Sequence, residues 1–358
     1  MCCMGWLPLE TDMTSLTIRR PVDLHVHFRD GAVLRQVVPY TARQFARAIV
    51  MPNLVPPVTT AKMAADYRSR ILAAVPEGQD FVPMMTCYLT DHTDPADLVA
   101  GYRDGIFVAA KLYPAHATTN AQHGVSSIDR LDPVFAAMSE HGIPLLTHGE
   151  LVGPHVDIFD REKLFIDQVL IPVLERFPQL RLVMEHITTQ EGAEFVASRG
   201  ANVAATITPQ HLLYNRNALF EGGLRPHLYC LPVLKRARHQ VALRAAATSG
   251  SAHYFLGTDT APHVKRLKEA DCGCAGVFSA PVAVEAYLKV FDEDGALDRF
   301  EAFASLNGPA FYGFAPSETR VTYSKAPHVV EASIAVENDE IIPLFGGTSV
   351  DWTLQQQL

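Results

Sequence analysis

Eight short apolar runs, separated by stretches with helical spacing, constrain the fold of this chain more than any other feature. They fall at 20–28, 47–52, 81–89, 106–113, 143–148, 180–187, 202–208 and 252–258. Helix-like segments lie between most of them, at 59–74, 128–140, 161–177, 189–198 and 232–249. Asp132-Pro133 marks a helix start, because Pro suits the first helical turn. Gly142, Gly200 and Gly250 read as helix stops. Strands alternating with helices predict an α/β fold, a closed parallel (β/α)8 TIM-type barrel, with an open doubly wound sheet as the competing arrangement. The barrel is favoured by where the polar residues sit. His25, His27, Asn53, Lys111, His148, His186 and Asp259 all fall at the tails of apolar runs, and only a barrel brings all its C-terminal strand ends to one mouth. No Gly-x-Gly-x-x-Gly follows any run, which weakens the nucleotide-binding alternative.

Beyond Asp259 the pattern loosens. An irregular stretch covers 261–280, helix-like segments cover 283–291 and 298–306, and the tail is rich in Val, Ile and Pro. No clean linker appears. The expectation is one domain over 17–358 with a decorated C-terminus, preceded by a flexible leader at 1–16.

Composition narrows the class. Apolar residues make up 48% of the 358 residues and charged ones 19%, enough for a large core. A net charge of −9 without a basic run argues against nucleic acid as a partner. It leaves room for an anionic substrate, since a few Arg and His side chains can make a locally positive pocket. The six cysteines, Cys2, Cys3, Cys87, Cys230, Cys272 and Cys274, form no Cys-x-x-Cys pair. That suits a reducing, cytoplasmic compartment. Neither a signal peptide nor a membrane-spanning run is present.

Side chains alternate faces along a strand, so His25 and His27 point the same way and can grip one metal ion. An apolar strand has little reason to bury two imidazoles together unless they coordinate something. His148 and His186 close two later runs and form a second candidate pair. Alone, each is an ordinary strand-end histidine, and Asp259 alone could cap a turn. His141, His239 and His253 are expected at the surface or at helix termini. Lys111 is costly on a barrel strand. It either reaches solvent or an acid, or its amine has reacted with carbon dioxide to give a carbamate able to bridge two divalent metals. Arg29, two residues beyond His27 on the same strand face, can fork onto a carboxylate. Cys272 and Cys274 supply only half a metal site and read as loop thiols.

Seven motifs together carry a resemblance. They are His-x-His-x-Arg-Asp-Gly at 25–31, Met-Pro-Asn at 51–53, Ala-Lys-Leu-Tyr-Pro at 110–114, Thr-His-Gly-Glu at 147–150, Glu-His-Ile-Thr-Thr at 185–189, Arg-Pro-His-Leu-Tyr-Cys-Leu-Pro at 225–232 and Leu-Gly-Thr-Asp-x-Ala-Pro-His at 256–263. From residue 17 to the C-terminus the chain resembles the amidohydrolase superfamily, and within it the short bacterial dihydroorotases. The resemblance implies two Zn2+ per subunit, bridged by N6-carboxylated Lys111 and a hydroxide. His25, His27, Lys111 and Asp259 would hold one ion, and Lys111, His148 and His186 the other. It implies reversible cyclisation of N-carbamoyl-L-aspartate to L-dihydroorotate in pyrimidine biosynthesis, with Asp259 as general acid–base. It implies substrate contacts from His27, Arg29, Asn53, His148, His263 and backbone groups of Leu231 and Ala275, a lid carrying Thr118 and Thr119, and a homodimer. Two rivals are weighed against it. Hydantoinases and allantoinases carry an added β domain ahead of the His-x-His strand, for which 24 residues are too few. Non-catalytic homologues have lost ligands, and all six are present here.

Overall fold

The structure is a computed structural model that describes residues 14–271 and 273–355. Cys2, Cys3 and Cys272 therefore lie outside the described residues, as do residues 1–13 of the expected leader. Strand β1 covers Ser15–Arg19, and the eight apolar runs become β2 (Val22–Val26), β3 (Arg47–Val50), β4 (Val82–Tyr88), β5 (Phe107–Leu112), β6 (Leu145–Thr147), β7 (Leu182–Met184), β8 (Val203–Ile207) and β9 (Tyr254–Leu256). From β2 to β9 each strand pairs in parallel with the next in sequence. The circle closes through a parallel bridge from Val26 to Thr260. At that seam Asp259 N donates to His25 O (2.9 Å) and His27 N to Thr260 O (3.0 Å).

Alternation sorts the strand residues into two packing layers. Val22, Leu24, Ile49, Met84, Ala109, Leu146, Val183, Ala204 and Phe255 fill the barrel interior. Their neighbours, such as Val50, Met85, Ala110, Leu145, Leu182, Ala205 and Leu256, pack outward against the helices. Lys111 shares the parity of Ala109, and His148 that of Leu146, so both face the axis. In β2 the alternation is reset. Leu24 packs inward, but so does His25, while Val26 and Phe28 pack outward, because the register on β3 shifts between Asp23 and Val26. Gly257 makes room for this seam. A Cβ there would lie 2.7 Å from Thr206 Cβ and 3.2 Å from His25 Cβ.

The helices follow the expected segments with trimmed ends. Thr60 caps Ala61–Leu72 by accepting from Met63 N, and Thr189 caps Gln190–Ala197 by accepting from Gly192 N. Asp132–His141 stops at Gly142, whose φ of 66° is left-handed, as glycine permits. Gly200 is not a stop, since the preceding helix already ends at Ala197 with Ser198 as its cap. His253 is half-buried ahead of β9, its Nδ1 2.8 Å from Val203 O. His239 sits in the first turn of Ala237–Ala247 but is buried, its Nδ1 accepting from Gln190 N. The helix-terminus position is as expected, but the residue is buried because the helix packs this face on Gln190–Ala197.

The decorated C-terminus holds helices at Ala283–Glu293 and Asn307–Tyr312 and ends in β-structure. Strand β10 (Arg320–Val329) pairs antiparallel with β1 and with β13 (Ser349–Leu354), and β11 (Ile334–Val336) pairs with β12 (Asp339–Ile341). Ser15 and Leu16, assigned above to the leader, are thus strand residues held by Ser324 and Tyr323. Among the described residues no helix is long and apolar enough to cross a membrane.

Candidate active site

Three ligand-type atoms converge where β2 meets β9. His25 Nε2 lies 3.2 Å from His27 Nε2, and Asp259 Oδ1 lies 3.4 Å and 3.1 Å from them. The outer nitrogens fix the tautomers. His25 Nδ1 contacts Glu185 Oε2, and His27 Nδ1 donates to Asn53 Oδ1 at 2.8 Å. With protons held on the outer nitrogens, two lone pairs and a carboxylate oxygen face one another in a buried space. Such a set repels itself unless a cation sits between. This residue set fits a divalent metal, and the outer partners are those that orient metal-bound imidazoles.

A second set adjoins it. The rings of His186 and His25 are 5.0 Å apart, and those of His186 and His148 4.9 Å. His148 Nε2 bonds Glu150 Oε2 at 2.8 Å, which leaves its Nδ1 free. His186 Nδ1 and Lys111 Nζ are buried without a partner. Burial lowers Lys111 to about 8, against the opposing pull of Glu185 and Asp259. Burial, with His148 next, also holds His186 well below the ordinary histidine range. Burial, then Arg29, does the same to His27. Neutral imidazoles are the form that ligates metal.

A cationic corner faces this centre. Arg29 Nη2 lies 2.9 Å from His263 Nε2, and Arg29 Nε donates to Pro262 O at 3.2 Å. His263 Nε2 is also 3.1 Å from Ala275 O. Burial, followed by Arg29, lowers His263 to about 2, so Arg29 carries the charge. Arg29 is not on the face of a strand as expected. The strand ends at Val26, and Arg29 turns into the pocket through a left-handed backbone, φ 60°. His186 (φ 41°) and Asp259 (φ 46°) are turned the same way. Non-glycine residues adopt this conformation at a cost and cluster at functional sites.

The loop holding Thr118, Thr119 and Asn120 covers the centre. Asn53 Nδ2 donates to Thr119 O (3.2 Å), Asn120 Nδ2 to Asn53 O (3.0 Å), Tyr88 OH to Asn120 O (3.3 Å) and Thr119 Oγ1 to Ala275 O (3.4 Å). His25, His27, Arg29, Asn53, Thr118, Thr119, His148, His186, Leu231, Asp259 and Ala275 all line the pocket. Of the expected residues, Lys111 lies beneath it and His263 reaches it through Arg29. Sequence reasoning missed Tyr113, Ala261 and Gly276 as lining residues, and Glu185 and Glu150 as imidazole partners. Both glutamates stand within two residues of a candidate ligand histidine, His148 or His186, a signal that could have found them.

Comparison with known proteins agrees with this geometry. The sequence model of the Amidohydrolase family matches residues 21–317. A dihydroorotase of Erythrobacter litoralis (strain HTCC2594) is 57% identical over 341 residues, covering 95% of this chain and 99% of that protein. The crystal structure of dihydroorotase from Campylobacter jejuni superposes with a TM-score of 0.88 at 32% identity, covering 96% of this chain and 98% of that one. That of Saccharomyces cerevisiae dihydroorotase in complex with 5-fluoroorotic acid gives 0.89 at 29%, covering 96% and 99%. The barrel, its mouth of histidines and these likenesses together show that the chain belongs to the amidohydrolase family of hydrolases, in its dihydroorotase branch.

Proposed function

We propose that this enzyme reversibly cyclises N-carbamoyl-L-aspartate to L-dihydroorotate, the third step of de novo UMP biosynthesis, with two zinc ions per subunit. The observation that carries the reading is the pairing of a buried ligand set at His25, His27 and Asp259, whose facing atoms converge within 3.4 Å, with the Arg29–His263 corner across one pocket. His25, His27 and Asp259 would hold one ion, His148 and His186 the other, and Lys111, as its carbamate, would join both. The amine of Lys111, lowered to about 8 by burial, has an appreciable neutral fraction near neutral pH, and the neutral amine is the form that adds carbon dioxide. Bound divalent ions supply Lewis acidity and lower the pKa of water.

The remaining roles belong to side chains and backbone. Asp259 moves a proton to or from the ring nitrogen. Burial raises its carboxyl above the ordinary range, opposed first by His25 and then by Lys111. Arg29 forks onto the substrate carboxylate. Asn53, His263 and backbone groups of Leu231 and Ala275 fix its orientation. With the Thr118–Asn120 loop closed, the cavity measures about 20 Å³, room for one or two waters. The loop therefore opens to admit substrate and closes to keep water out. Cys87, Cys230 and Cys274 are free thiols, in keeping with a cytoplasmic enzyme, and two copies are expected to assemble as a homodimer.

Metal analysis together with a dihydroorotate ring-opening assay tests this reading. Asp259→Asn is expected to keep most of the metal and lose nearly all turnover, because an amide offers an oxygen but cannot shuttle a proton. Absence of both metal and turnover in the wild type sinks the proposal. Near-normal kcat in the variant removes Asp259 from the proton path.

A further inference from the structure

Lys268 is a buried lysine outside the pocket lining, at the end of the short helix Lys265–Lys268. Its ammonium is fully matched. Nζ donates to Tyr229 O, Cys274 O and Gly276 O, each at 2.8 Å. Three N–H groups thus meet three carbonyls from two different loops. One loop follows β8 and carries Tyr229 two residues before Leu231. The other follows β9 and carries Cys274 and Gly276 on either side of Ala275. A backbone bond from Gly276 N to Tyr229 O, 2.9 Å, joins the same loops.

The arrangement has a direction. Because its neighbours' carbonyls are turned to Lys268, Ala275 is left with its own carbonyl pointing to His263 Nε2 (3.1 Å) and Thr119 Oγ1 (3.4 Å). The ammonium also lies behind the cationic corner. After burial and Arg29, it is the next charge that disfavours protonation of His263. Remove the cation and the carbonyls of Cys274 and Gly276 lose their donor, while Tyr229 O keeps only Gly276 N, so two buried acceptors are left unpaired and the contact between the loops weakens.

We propose that Lys268 is a positioning residue: it staples the Tyr229–Leu231 backbone to the Cys274–Gly276 backbone and so sets the spacing at which Leu231 and Ala275 grip the substrate. This rests on the reading of those two residues as substrate contacts. Lys268 touches neither the ligand set nor the reacting atoms, so its loss acts on substrate binding and leaves the metal in place.

The test is steady-state kinetics with L-dihydroorotate on Lys268→Met, with metal content measured on the same sample. A misplacement of about 1 Å can cost on the order of 100-fold, so KM is expected to rise about 10–100-fold, with kcat within about threefold and metal unchanged. In Lys268→Ala, added propylammonium, which carries N–H donors, should lower KM again, whereas tetramethylammonium, which has none, should not. If Lys268→Met does not fold, Lys268→Gln, with two donors and no charge, carries the same expectation of a raised KM. Wild-type KM in the soluble variant, or kcat and metal falling together, overturns the inference. A wild-type enzyme that does not turn over L-dihydroorotate refutes the functional reading instead.

Discussion

Asn53 does two jobs with one amide, and two substitutions separate them. Its Oδ1 accepts from His27 Nδ1 at 2.8 Å, and its Nδ2 donates to Thr119 O at 3.2 Å. Asn53→Ala removes both. A buried imidazole N–H then lacks its acceptor, which costs about 1–3 kcal/mol. The ring can escape by moving the proton to Nε2, but that removes the lone pair aimed at the metal. Removing such an outer partner lowers metal affinity by about 10–100-fold, and at about 1.4 kcal/mol per decade the two figures agree. Asn53→Asp keeps an acceptor for His27 and loses the donor to Thr119. It should hold metal as tightly as the wild type while raising KM, through a loosened loop and repulsion of the substrate carboxylate. The assay is zinc titration of metal-free protein against a competing chelator, followed by kinetics at saturating metal. Equal metal loss in both variants, or none in Asn53→Ala, refutes the division of labour.

Three further perturbations test other parts of the structure. Arg29→Met should lower kcat/KM by about 2–4 kcal/mol, the cost of truncating one partner of a desolvated charge pair, with zinc content intact; unaltered kinetics would move Arg29 out of the pocket. Lys111→Ala should lose metal at both positions and activity together while the far-ultraviolet circular dichroism stays unchanged; retention of two ions per chain would remove Lys111 as their bridge. Glu285 is buried, accepts from Gln44 Nε2 at 2.9 Å, and is raised from 4.5 to about 7, mainly by burial. The folded state then holds a proton that the unfolded state has released, so stability falls as pH rises from about 4.5 to about 7 and stays low above. At about 1.4 kcal/mol per unit, Glu285→Gln should gain about 1–3 kcal/mol at pH 8 and little near pH 4.5. Thermal unfolding of both proteins at equal metal loading checks this, and a Tm difference that does not change with pH would rule it out.

Much of the architecture was legible because it depends on periodicity. Each of the eight apolar runs contains a barrel strand, and Lys111 faces the axis because it keeps step with Ala109, beyond the register shift that β5 makes against β4. What periodicity cannot show is where a strand stops. The run expected at 180–187 holds only three strand residues, Leu182–Met184, because Glu185 and His186 leave the ladder to serve the site. The small sheet of β1, β10 and β13 was not read either. Its pairing joins Ser15–Arg19 to residues some 300 positions away, and no local pattern encodes so distant a partner. Glu150 and Glu185 were passed over because a carboxylate beside a strand end looks like a surface residue until its burial is known.

The left-handed residues explain why the candidate site is more legible in its motifs than in its strands. Arg29, His186 and Asp259 all have φ between 41° and 60°, a conformation worth about 1–3 kcal/mol of strain for a side chain other than glycine. A straight continuation of β2 would carry Arg29 along the alternation of His27 and leave it beside His25 and His27. The left-handed turn swings it instead to Pro262 and His263, across the pocket. At Asp259 the turn follows a backbone bond to His25 O and brings Oδ1 within 3.4 Å of both facing imidazole nitrogens. The barrel supplies rigid strand ends and a closed seam, and the strained residues just past them aim the chemistry. The ligand set is therefore most exposed to changes in the backbone of these three corners, even where no ligand atom is altered.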